Sequence, residues 1–377
     1  MSIKKYQNLS FQDLKVLEGL VEYGPRNITE VARKLGIPAE TLRKRLKRLH
    51  SQFFLRINAN VYHTNLGLKK AVVFAEAISG YEDVLHDCLK QNGFWIFLGG
   101  CYGMFEGYVG IFTIPKNCSS EFEEFLDRIK SLGVAKNVEV FWSTCFHVVN
   151  AKCNWFDEQI GYWNFQWDDW IEEIKNEQTQ LPYTLVDPKD FPILGDEIDI
   201  LMSKELEKDA MARISRLAKM LKISPQLARY HFHEHLVGKG LIEGFELTTF
   251  HFGKENTDFC FFIFNFHNYE KFAKFASSLL DKPFARSIGK ILGMNALYGY
   301  FYLPRLEFRN FLKALSRLVK AGFLESYLYA IQDLENSSRQ TIPYEYFKNG
   351  SWVYNHREHM ENLQNVISNA GLGKCVV

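Results

Sequence analysis

The chain has 377 residues and 47% hydrophobic content, too long for one ordinary core and too apolar for disorder, so two to four domains are expected. No apolar run reaches the length of a membrane span, and residues 1–10 (MSIKKYQNLS) carry no signal-peptide pattern. A formal net charge of +1 argues against a protein that coats nucleic acid, so any electrostatic footprint must be local.

Seven cysteines (Cys88, Cys101, Cys118, Cys145, Cys153, Cys260 and Cys375) are scattered with no C-x-x-C pair. An odd, unpatterned set fits a reducing compartment, and the expected location is cytoplasmic. Aromatic residues make up 15% of the chain, which predicts extensive sheet packing and a buried interface.

Ser10 precedes a first helix with Phe11, Leu14, Leu17, Leu20 and Val21 on one face, and Gly24-Pro25 ends it. Residues 28–49 read ITEVARKLGIPAETLRKRLKRL. Ile28, Val31, Ala32 and Leu35 recur at helical spacing until Gly36 stops the helix. A further helix follows, with Leu42, Leu46 and Leu49 beneath and Arg43, Lys44, Arg45, Lys47 and Arg48 above. Two short helices across a glycine turn, the second basic on its outer face, predict a helix-turn-helix. Residues 54–57 and 60–63 read as two short strands, the wing of a winged helix.

Beyond Gly67 the pattern becomes strand, helix, strand, strand, helix, strand, the ferredoxin-like order. A glycine-rich turn, Gly99-Gly100-Cys101-Tyr102-Gly103, separates its two middle strands. An aromatic arm with Trp163, Trp167 and Trp170 then leads into a charged helix and a proline-bearing linker.

Everything then recurs with a period of about 186–189 residues. Residues 214–232 (ISRLAKMLKISPQLARYHF) align with residues 28–46, and a second βαββαβ run follows. Gly350, Trp352, Tyr354, His356 and His359 repeat the aromatic arm. The expected fold class is α+β: two winged helix-turn-helix domains (1–66 and 193–250) alternating with two ferredoxin-like βαββαβ domains (67–152 and 251–336). Arms or linkers at 153–192 and 337–377 follow each.

The helix-turn-helix at 28–49, the wing and the junction Asn65-Leu66-Gly67-Leu68-Lys69-Lys70 resemble the leucine-responsive regulator (Lrp/AsnC) family. The resemblance covers residues 10–150 well and 195–335 weakly, and the arms lie outside it. It implies a DNA-binding first domain and a sheet domain that pairs into dimers and senses an amino acid between subunits. The two copies could pair within one chain, and the arms or outer sheet faces could then join two chains as a homodimer. It also places the small-molecule effector loop at Gly99, Gly100, Cys101 and Tyr102.

Thr41, Arg43, Lys44, Arg45, Lys47 and Arg48 are the expected nucleic-acid contacts, to phosphate or to guanine. The second recognition helix has lost its charge: Arg229 is cancelled by Glu234, whereas the first carries five cations against Glu40. Phosphate affinity grows with the charges neutralised, so the second helix is a poor DNA clamp. Gln226, Arg229, Tyr230, His231 and His233 instead suggest a surface for another partner. His231 and His235 stand four apart, a metal-compatible spacing, but no third ligand lies nearby in sequence, so no metal is expected. Trp163, Trp167, Trp170 and Trp352 are expected at an interface, anchoring the arms on a sheet or on a second chain.

No P-loop, G-x-S-x-G or dinucleotide-binding glycine motif is present, and no cofactor is expected. The family has an enzymatic branch, the decarboxylases of haem biosynthesis, but no matching basic-aromatic signature stands here. The sequence therefore predicts a homodimeric transcription regulator that is not an enzyme. The near-neutral total charge, the uncharged second recognition helix and the aromatic arms also suit an interaction factor that binds the ribosome or another ribonucleoprotein.

Overall fold

The computed structural model describes residues 9–159 and 161–371, so Cys375 lies outside the described residues. Three helices open the chain: α1 (Phe11–Tyr23), α2 (Ile28–Lys34) and α3 (Ala39–Phe53). Leu14, Leu20, Val31, Leu42 and Leu49 bury together between them. Ser10 and Asp13 form the capping box of α1, and Asn27 caps α2. Gly36 takes a positive φ of 66° at the turn into α3, where a side chain would be strained.

The expected two-stranded wing does not form within this unit. Residues 56–61 make one continuous strand, β1 (Arg56–Val61). No glycine or proline lies between Arg56 and His63 to reverse the chain. The partner comes from the second copy, where β9 (Ile242–Thr248) pairs antiparallel with β1. Ala59 faces Phe245, its own counterpart one period later, so the two strands meet about a local two-fold axis.

The first sheet unit is β2 (Leu68–Ala77), α4 (Glu82–Lys90), β3 (Trp95–Gly103), β4 (Gly107–Pro115), α5 (Ser119–Ser131) and β5 (Ala135–Ser143). Short strands β6 (His147–Val148), β7 (Phe156–Asp157) and β8 (Tyr162–Trp163) lead to α6 (Trp167–Asn176). The second copy begins with α7 (Glu197–Lys208), α8 (Ile214–Leu221) and α9 (Pro225–Tyr230), the last running into a π-helical turn (His231–Val237). After β9 come β10 (Thr257–Asn265), α10 (Tyr269–Leu279), β11 (Ala285–Lys290), β12 (Ala296–Pro304), α11 (Arg305–Lys320) and β13 (Ser326–Arg339). Strands β14 (Phe347–Lys348) and β15 (Ser351–Trp352) precede α12 (His356–Asn369). The βαββαβ order expected from the sequence is therefore present twice.

One antiparallel sheet unites the copies, in the order β5-β2-β4-β3-β13-β10-β12-β11-β6. The β3–β13 edge is one seam. At the other, Ser143 bridges Ile291, and Leu292 N donates to Trp142 O at 2.7 Å. The sheet thus closes on itself. Val72, Phe74, Val109, Ile111, Phe261, Ile263 and Tyr298 fill its inner face.

The arms are exchanged between copies. Helix α6, from the first copy, packs against α10 and α11 of the second, burying Trp155, Trp167 and Trp170 with Phe275 and Phe311. Helix α12, from the second copy, packs against α4 and α5 of the first through Leu363 and Ile367. Of the two expected anchorages for the tryptophans, a sheet or a second chain, they take one within this chain. Trp170 is fully buried, Trp167 Nε1 donates to Glu307 at 2.7 Å, and Trp352 Nε1 donates to Leu66 O at 2.6 Å. Trp163 packs on Phe156 and Phe252. They do form an interface, but one between the two halves of one chain. Among the described residues no helix is long and apolar enough to cross a membrane.

Candidate nucleic-acid interface and neighbouring sites

Leu42 and Leu49 of α3 are fully buried beneath the helix, and Arg43, Lys44 and Lys47 are exposed above it. Lys44 and Lys47 have no ion-pair partner among the described residues, while Arg43 lies 3.7 Å from Glu40. Thr41 is half-buried.

Arg45 and Arg48 are placed differently. Both turn inward to the fully buried Asp13 of α1: Arg45 Nη1 donates to Oδ1 at 2.9 Å and Arg48 Nη2 to Oδ2. Burial pushes the Asp13 carboxyl up, but hydrogen bonds from Ser10, Arg48 and Arg45 outweigh it and hold the group below the usual carboxylate range. The carboxylate that caps α1 therefore also fastens α3. The sequence read these two arginines as ligand contacts. Nothing in the local pattern showed that a capping residue 32 and 35 positions earlier would claim them.

The second unit repeats the arrangement with other chemistry. Asp196 caps α7 with Asp199 as its capping-box partner. Asp199 is fully buried, and its Oδ1 lies 2.7 Å from His231 Nδ1 and its Oδ2 2.9 Å from His235 Nδ1. His231 is thus 4% exposed and does not face a partner, contrary to expectation. Gln226, Arg229, Tyr230 and His233 are exposed as expected, beside Leu227 and Val237.

Gly99, Gly100, Cys101 and Tyr102 form no loop. They are the far end of β3, paired with β4 on one side and β13 on the other. A Cβ on Gly99 would come within 2.6 Å of the Phe97 ring, and one on Gly100 within 3.1 Å of Asn336. These glycines let two strands and their side chains close the seam. Only Tyr102 of the four reaches solvent substantially, at 49% exposure.

A cavity does lie elsewhere, between α1 and the second sheet unit. Leu14, Leu17, Val21, Val148, Val149, Trp163 and Pro283 supply apolar walls. Arg286 enters from β11, donating to Leu247 O at 3.1 Å and to Thr249 O. Among the described residues its Nε and the Thr249 hydroxyl are buried without a partner. Burial presses the His251 imidazole down to about 3, with Arg286 adding to the effect, so this ring is neutral. Glu18, Lys152 and Glu246 add charged groups to the lining. An apolar cleft with a few convergent polar groups suits a small amphiphilic molecule. No sequence motif marked it, because its walls come from both copies.

Against known proteins, no family model matches the chain and no curated protein matches it. Among solved structures, the siroheme decarboxylase NirDL is similar over 95% of this chain and 99% of its own, at 11% identity and a TM-score of 0.48. A transcriptional regulator from Neisseria meningitidis in complex with L-Met covers 39% of this chain and 97% of its own, at 21% identity and a TM-score of 0.31. An AsnC family transcriptional regulator from Agrobacterium tumefaciens covers 36% and 89%, at 13% identity and a TM-score of 0.29. The regulators match about one copy's length, and the decarboxylase both copies. The expectation that this chain is not an enzyme is overturned by that whole-length match to an enzyme.

Proposed function

We propose that the chain binds nucleic acid through α3 and grips the phosphate backbone more than the base sequence. The observation that carries this is the row Arg43, Lys44 and Lys47, exposed on a helix whose opposite face buries Leu42 and Leu49 and half-buries Leu46. Three cations on a rigid helix suit phosphates spaced along a duplex or a folded RNA. Arg45 and Arg48, which would otherwise deepen base contact, are held by Asp13. The counterpart of α3 in the second unit carries only Arg229 against Glu234, so each chain presents one such basic recognition helix. A homodimer would present two, spaced for a two-fold target or for bridging two particles. Lys44→Ala with Lys47→Ala is expected to weaken binding to all duplexes alike and to lower the salt-dependence slope by roughly 2. Unchanged affinity and slope in a salt titration would remove the proposal.

The cavity beside α1 favours a second reading, a bound small anion with an apolar body. The unpartnered Arg286 Nε and Thr249 hydroxyl are the groups it would satisfy. Such a molecule would touch α1, whose Asp13 fastens the basic helix, so binding would be felt at α3. Effector and substrate are separated by whether the bound molecule is recovered unchanged. Arg286→Leu abolishing uptake of extracted small molecules is the expected result.

A further inference from the structure

The two copies place a carboxylate at the same point and use it differently. Asp13 and Asp199 stand one period apart, and so do Arg45 and His231. The counterpart of Arg48 by the same spacing is Glu234, which would repel Asp199. The structure avoids this with the π-helical turn His231–Val237, whose extra residue per turn brings His235 to Asp199 instead. In the first copy the carboxylate holds two guanidinium groups, which cannot ligate a metal. In the second it meets two imidazoles.

We infer that this point in the second copy is a binding site for a divalent transition-metal ion of the zinc or nickel class, with His231, His235, Asp199 and Asp196 as its donors. One ligand atom from each of the four lies within 4.8 Å of all the others. His231 Nδ1 is 3.7 Å from Asp196 Oδ1 as well as 2.7 Å from Asp199 Oδ1. Donors about 2.0–2.2 Å from a tetrahedral ion sit roughly 3.4 Å apart. The 3.7 Å contact already has nearly that spacing, and the 2.7 Å and 2.9 Å contacts would open to it. Two imidazoles with carboxylates form a nitrogen–oxygen set that suits zinc or nickel rather than calcium. The sequence showed only two ligands at i and i+4. The fold supplies the other two from α7.

A separate observation points the same way. Ser203, four residues beyond Asp199 on α7, is fully buried and its hydroxyl has no hydrogen-bond partner among the described residues. Its counterpart one period earlier is Leu17, which needs none. The second copy thus carries a spare buried hydroxyl one helical turn along α7 from the carboxylate. Asp199 keeps its capping bond from the Asp196 backbone at 3.0 Å, so ion binding and the start of α7 share one carboxylate.

The test uses the full chain after chelation and buffer exchange. Calorimetric titration with ZnCl₂ and NiCl₂ is expected to show one saturable site per chain, with a rise in thermal midpoint. Co²⁺ added instead should give the visible absorption bands of a bound tetrahedral ion. His231→Gln and His235→Gln are expected to weaken uptake at least tenfold. His231→Arg restores the first copy's arginine–aspartate contact, so it should fold like the parent, by circular dichroism, and take up no ion at this site. Absence of saturable uptake by the parent chain would leave a hydrogen-bonded helix clamp and overturn the inference. Uptake that survives unchanged in His231→Arg would place the ion on other groups and overturn it equally.

Discussion

Asp13 is a buried acid that does two jobs, closing the capping box of α1 and holding Arg45 and Arg48 of α3. Asp13→Asn leaves two arginines without their counter-charge, and the expected loss is roughly 2 kcal/mol in a denaturant melt. That is less than for a fully buried pair, because Arg48 remains partly solvated. The same change frees both guanidinium groups, so nucleic-acid binding should become tighter and more salt-dependent. Conversely, Arg45→Ala should cost stability before it costs affinity. Two other buried groups set a pH dependence. His359, 2% exposed, is pushed by burial down to about 4, and burial beside Lys70 holds His63 well below the usual range. Each stays neutral in the fold while its unfolded counterpart takes up a proton below about 6.5. The unfolded state thus binds more protons in that window, and stability falls with pH from about 6.5 towards 4. A chemical-denaturation midpoint that is flat between pH 7 and 5 would contradict this.

At the scale of elements, the exchanged arms decide which surfaces are closed. Leu363 and Ile367 of α12 are fully buried in the core of a sheet unit whose other residues lie more than 200 positions earlier. Leu363→Ala is expected to cost about 2–5 kcal/mol and to loosen the first sheet unit rather than the second. Hydrogen exchange on β2 and β4, compared with β10 and β12, reads which unit responds. The same scale shows why some sequence signals succeeded. The apolar periodicity of α1, α2 and α3, and the βαββαβ order, follow from local spacing alone, and both formed as the pattern dictates. The wing failed because a strand's partner is not written in the strand. Likewise the glycines at 99 and 100 looked like a turn, yet they serve a strand seam that needs close approach.

Over the whole molecule, the two copies share a closed sheet, a paired strand β1–β9 and reciprocal arms, so neither half is complete alone. Residues 1–192 expressed alone should aggregate or associate with a second copy, whereas co-expression with residues 193–377 should restore one particle of each half. Two halves that purify as independent folded monomers would contradict the exchanged architecture. The sequence by itself determined the duplication, the helices, the strand order within each copy and the basic face of α3, because each is encoded by spacing within a few turns of chain. Only the tertiary structure decided that Asp13 would claim two of those basic residues, that Asp199 would gather two histidines, and that the tryptophans would close one chain on itself. Those outcomes depend on which distant surfaces meet, and a carboxylate or an indole binds whatever the fold brings within about 3 Å of it.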